Sequence, residues 1–167
     1  MAMIPIATTT VGSGGASSIA FTSIPGTYTD LAIKLSTRTN NTGSGNGTTI
    51  SFNSSTSNLS SRYLYGDGTS AASGNSSTNG YIAIVNGTTE TSNTFSNTDI
   101  YLPNYAGSNN KCVSSDSVME NNATGAYQVF YTVLWSNTAA VTSITLTSTL
   151  GSWVQYSTAT LYGIKQS

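Results

Sequence analysis

The sequence has no histidine and a single cysteine, Cys112. Without histidine there is no Ser-His-Asp triad and no Cys-His pair, and the commonest side-chain ligand for zinc, copper and iron is missing. A lone cysteine excludes an internal disulfide framework, and with no base to activate it Cys112 reads as a small strand residue that carries sulfur. Charge is scarce too, with five Lys and Arg, six Asp and Glu and a net charge of −1. Lys34, Arg38, Arg62, Lys111 and Lys165 are too few and too scattered to neutralise a run of phosphates or to form a polybasic anchor, so neither nucleic acid nor membrane is expected as a partner. No apolar run reaches the ~18 residues of a membrane span. The opening MAMIPIATTTVGSGG lacks the basic and long apolar regions of a secretory signal, which predicts either folding in a cytoplasm or a signal already removed.

What the chain has in abundance is hydroxyl and amide. Ser, Thr and Asn supply 72 of its 167 residues. That texture resembles disorder, but disordered chains lean on charge and proline, and here 7% of residues are charged and 3 are Pro. Hydrophobic residues reach 37% and aromatics 10%, and they fall in short alternating runs. The composition predicts one folded all-β domain over residues 1–167, large enough to bury a core.

The runs locate strands. IPIATTTV and SSIAFTSI flank a GSGG turn; DLAIKLSTRT sets Leu31, Ile33 and Leu35 on one face; TTISFNS does the same with Ile50 and Phe52. SRYLYGDG is a short aromatic segment, and the polar stretch from Gly68 to Gly80 reads as a long exposed loop. YIAIVN and TDIYLPNY follow, the second ended by Pro103, then a weaker KCVSSDSVME. YQVFYTVLW carries large residues on both faces, with Phe130 and Leu134 opposing Val129, Tyr131, Val133 and Trp135, a pattern of a strand covered on both sides. TSITLTSTL, WVQY and ATLYGI complete the chain. No segment has a capped 3.6-residue apolar stripe, so no long helix is expected. Roughly eight to eleven short strands predict an antiparallel β-sandwich, with jelly-roll connectivity expected at this length.

Candidate chemistry is sparse. Asp30, Asp67, Glu90, Asp99, Asp116 and Glu120 lie beside turns or in polar segments, where carboxylates are simply solvated, and no calcium-loop pattern is present. GSGG and GSGNG are not followed by the helix and Lys-Ser/Thr pair of a phosphate loop. No cofactor and no catalytic or metal site is expected. The aromatics are the one class that reports a binding surface: Tyr63 and Tyr65 share a strand face, and Trp153 lies near Tyr156. Rings flanked by Asn, Ser and Thr suit sugar stacking or a protein interface, as they suit a core. Ile4, Pro5 and Ile6 belong to an opening stretch, residues 1–10, that is either an attachment arm or a first strand.

Three phrases carry a family resemblance: IATTTVGSGGASSIAFTSIPGTYTDLAIKLSTR, SSDSVMENNATGAYQ and the closing ATLYGIKQS. Together they resemble the small Ser/Thr/Asn/Gly-rich β-sandwich virion proteins of tailed bacteriophages that finish in a LYGI strand. The resemblance implies a non-enzymatic structural part of a virus particle, assembled in the host cytoplasm and located in the virion. On that basis the expected role is a capsid-exterior decoration or cement protein or a short head fibre. The partners are further copies of the chain, with a trimer expected, and the major capsid protein. The alternative is a tail appendage that binds a host surface glycan through Tyr63, Tyr65, Trp153 or Tyr156.

Overall fold

The computed structural model describes residues 2–43, 45–122 and 125–165, and among them finds twelve strands and no helix. They are β1 (Ala2–Thr10), β2 (Ser18–Phe21), β3 (Asp30–Thr37), β4 (Asn46–Phe52), β5 (Leu59–Gly66), β6 (Ala71–Ser76), β7 (Tyr81–Val85), β8 (Ser96–Leu102), β9 (Lys111–Met119), β10 (Tyr127–Trp135), β11 (Ile144–Ser148) and β12 (Thr158–Lys165). All named pairings are antiparallel. They build an eight-stranded sheet, order β1-β12-β3-β8-β9-β10-β5-β6, and a four-stranded sheet, order β2-β11-β4-β7. The two stack face to face, and the protein is an all-β antiparallel β-sandwich.

The two-residue period explains the stacking. Leu31, Ile33 and Leu35 of β3 and Ile100 and Leu102 of β8 point inward from the large sheet, against Ile50 and Phe52 of β4 and Ile144 and Leu146 of β11. Phe52 and Trp135 meet across the core with ring centroids 5.2 Å apart. Truncating a buried ring such as Trp135 to Ala costs about 3–5 kcal/mol.

Some expectations need correction and others are sharpened. The segment expected to be a long loop contains β6, an edge strand paired to β5 from Gly66↔Ala71 to Ser61↔Ser76. Its Ala, Ser and Gly residues pair through backbone alone and give no apolar alternation. The weak KCVSSDSVME segment is β9, a central strand. WVQY forms no strand; Trp153 makes only isolated bridges to Ala16 and Thr39. Residues 2–10 are a first strand, paired along β12 from Ala2↔Lys165 to Thr10↔Thr158 with a bulge between Pro5 and Ala7. β12 is therefore an interior strand between β1 and β3. Its Gly163 is required, because a Cβ there would penetrate the Tyr28 ring. Lys165 sits 5.9 Å from the centroid of that ring, an added cation–π contact.

Two buried carboxylates, Glu90 and Asp30, depart from the solvated reading, and buried Arg38 braces the turn that holds the first. Arg38 donates to the carbonyls of Glu90, Thr91 and Thr94 at 2.9–3.1 Å and so pins the connection before β8, while the Glu90 carboxylate accepts from the Gly87 N–H inside the same turn. Asp30 is likewise buried and accepts from the Tyr101 hydroxyl and the Asn104 N–H, each at 2.8 Å. Turn N–H groups and hydroxyls replace the water these carboxylates lose.

Candidate binding groove and assembly face

Two hairpins, β5–β6 and β9–β10, make the large sheet twice as wide as the small one. The edge strand β7 packs over β9 and β10, and nothing in the small sheet reaches beyond it. The inner face of β5 and β6, with the near end of β10, is left as a shelf beside the wall formed by β7. The gap is a groove of about 500 Å³, within the usual range for a small-molecule site.

Five tyrosines line it: Tyr63 and Tyr65 from β5, Tyr81 from β7, Tyr127 and Tyr131 from β10, with Ile84, Val129, Thr149 and Leu150. Four rings run in unbroken contact, with centroid separations of 5.7 Å for Tyr131–Tyr63, 6.3 Å for Tyr63–Tyr65 and 5.9 Å for Tyr65–Tyr127. The facing positions on β6 explain why the rings stay open. Ala72 opposes Tyr65 and Gly74 opposes Tyr63, and a Cβ on Gly74 would strike the Tyr63 ring. Small residues build the floor, and no larger side chain from β6 covers the rings. Burial pushes the Tyr131 phenol well above its ordinary value, with the Tyr63 and Tyr81 phenols adding to the shift. No Asp, Glu, Lys or Arg lines the groove.

The opposite side of the large sheet has a different character. Five of the eight exposed large apolar side chains among the described residues, Met3, Leu64, Tyr101, Phe130 and Leu134, lie there. Register sets Leu64 opposite Phe130, which opposes Asp116, and Leu134 opposite Cys112, while Tyr101 on β8 opposes Ser114 and Met3 lies on edge strand β1. β10 was expected to be covered on both sides; only its inner side is, and Phe130 and Leu134 are 52% and 41% exposed. Free Cys112 is an exposed strand residue on this face.

Charges on this face are incompletely paired. Lys34 and Asp99 make the only ion pair among the described residues, at 2.6 Å. Asp116 stands directly opposite Asp99, and its Oδ1 is buried without a hydrogen-bond partner. Arg62, exposed on the far side of β10, opposes Thr132.

The residues singled out from sequence are not gathered in one place. Tyr63 and Tyr65 do form a site, joined by three tyrosines whose contribution depends on sheet order and left no mark in spacing. Trp153 is fully buried in the core, a correction to its reading as a surface ring, because its bridges to Ala16 and Thr39 hold the connection before β12 across the end of the sandwich. Tyr156 is exposed in that connection at φ 72°. Ile4 and Pro5 are exposed on edge strand β1, and Ile6 packs against the core. No family model, curated protein or solved structure matches the chain.

Proposed function

We propose that this protein is a non-enzymatic structural component of a tailed-phage virion, a capsid-exterior decoration or short head-fibre protein that pairs with a second copy through the outer face of its large sheet. The observation that carries the reading is the bare second face of β10, where Phe130 and Leu134 stand exposed beside Leu64, Tyr101 and Met3. An exposed apolar cluster of this kind, around a shallow hollow lined by Met3, Tyr101 and Phe130, is the mark of an interface.

The second copy is favoured over other occupants by charge and size. A two-fold axis along β10, lying between the faces, lays β5 of one copy over β9 of the other. It carries unpaired Arg62 to within one two-residue step, ~7 Å, of the row that holds unpaired Asp116, and an arginine side chain spans that step. Seven strand spacings by about seven residues give a face of roughly 800 Å², the per-partner area of a standard interface. This two-fold pair replaces the trimer expected from sequence as our reading of the oligomer.

We also read the connectivity as a jelly roll. With the two hairpins set aside, the sheets reduce to β1-β12-β3-β8 and β2-β11-β4-β7, the paired four-strand layers of that fold. Placement on the particle rests on the family resemblance. Averaged images of the phage that encodes the chain test it: 17.3 kDa units on the head exterior are the expected result. Density confined to the tail overturns the capsid placement, and a particle without the protein overturns the virion role.

A further inference from the structure

We infer that the tyrosine groove is a binding site for a neutral oligosaccharide. The groove lies on the inner side of the large sheet, so it stays open when the outer face is covered, and the inference does not depend on where in a virion the protein sits.

Three features identify the ligand class. The first is shape: the rings of Tyr131, Tyr63, Tyr65 and Tyr127 form one continuous track, which suits a ligand built of repeated flat units and not a compact one. The second is chemistry. Ring faces pack against the C–H faces of pyranose rings, and among the described residues none is hydrogen-bonded to any of the five groove phenol hydroxyls, so each remains a donor and acceptor for sugar hydroxyls. The third is charge: with no ionised side chain in the lining, a charged ligand would be desolvated without a partner, whereas an uncharged polyhydroxyl chain meets no such penalty.

The construction of the site supports this. Small residues on β6 keep Tyr63 and Tyr65 uncovered, and the small sheet stops at β7 without roofing them. Ile84 and Val129 pack with the tyrosines at its base, and the groove that remains above them opens to solvent and holds about 500 Å³, room for a short run of sugar units.

The test uses the purified full chain and neutral hexasaccharides of glucose, mannose, galactose and N-acetylglucosamine, with a mannuronate hexamer as the anionic probe, in titration calorimetry. At least one neutral hexamer should bind with Kd at or below ~1 mM, and the anionic one should not. Tyr65→Ala should weaken that binding about tenfold or more through loss of one stacked ring, Tyr65→Trp should retain it, and Tyr127→Ala should repeat the loss at the end of the track. Melting curves establish that each variant is folded. Phe130→Asp, on the other side of the sheet, should leave sugar affinity unchanged even where it abolishes pairing. Failure of every neutral hexamer to bind, equal binding of the mannuronate hexamer, or unaltered binding by a folded Tyr65→Ala protein overturns the inference and leaves the assembly reading untouched.

Discussion

The two outer faces of the sandwich are built by the same strand periodicity and differ sharply in what they show to water. On β2, β11 and β4 of the small sheet the outward positions include Ser18, Ala20, Thr49, Ser51, Thr145 and Thr147, mostly hydroxyls on the solvent side. On the large sheet they include Met3, Leu64, Tyr101, Phe130 and Leu134. A chain with 72 Ser, Thr and Asn residues has ample material to wet a sheet face, and the small sheet shows it doing so. The apolar side chains on the other face are therefore a local choice: Leu64, Phe130 and Leu134 lie on hairpin strands and Tyr101 on the neighbouring β8, with Met3 apart on edge strand β1. The hairpins thus act on both sides of the sheet: outward they widen the face that we assign to pairing, inward they extend the shelf that holds the tyrosines.

The most damaging way to break that contrast is Phe130→Asp, which puts a charge at the centre of the adhesive face. A central aromatic anchor contributes about 2 kcal/mol or more to an interface, so pairing should weaken ~30-fold or more. Sedimentation equilibrium measures it, run well below the melting temperature, because the new carboxylate stands opposite Asp116 and should lower monomer melting as well. Unaltered self-association would remove β10 from the interface. Next in size is Arg62→Glu, expected to weaken pairing about tenfold by setting like charges against each other, with Asp116→Arg in the same chain restoring it. Lack of rescue would break the proposed two-fold register while leaving the face in place.

A smaller effect separates inner from outer side by pH. The Tyr131 phenol is raised above its ordinary value mainly by burial, and that of Tyr101 by its hydrogen bond to Asp30. For both, the folded value exceeds the unfolded one of about 10, so their contribution to stability is complete below that pH and declines as pH rises toward the folded value. Tyr131→Phe should flatten the fall of melting temperature above about pH 10 more than Tyr101→Phe does, since the exposed Tyr101 is screened by water. Equal flattening by the two would mean that the inner ring is no better shielded than the outer one.

Much of the sandwich was legible in sequence because its central strands alternate cleanly. Leu31, Ile33 and Leu35 reported their own burial, as did Ile144 and Leu146. β6 was not legible, since AASGNS pairs by backbone and its small side chains serve the tyrosines opposite. Asp30 and Glu90 misled for a related reason: sequence shows a carboxylate beside a turn but not the turn N–H groups that let it be buried. Of the groove, the Tyr63/Tyr65 pair was visible at i and i+2. Tyr81, Tyr127 and Tyr131 could be added only once sheet order brought β7 and β10 beside β5. The two-sided pattern of YQVFYTVLW was read correctly as residues and wrongly as a covered strand; what its outer face lacks in the single chain is the cover we assign to a second copy.

Thr147→Asp on the small sheet is the control for the whole contrast, and it should do almost nothing. Thr147 sits on β11 between Ser18 of β2 and Thr49 of β4, a row of hydroxyl side chains with no carboxylate beside it to repel the new charge. The backbone pairing of β11 is untouched by the change, and the methyl group lost from the row is partly exposed already. Stability should shift by no more than about 0.5 kcal/mol, and pairing should be unchanged within error. If Thr147→Asp weakened association as strongly as Phe130→Asp, hydroxyl-rich sheet surface would itself be adhesive in this protein. The apolar cluster on the large sheet would then lose its claim to be the assembly face.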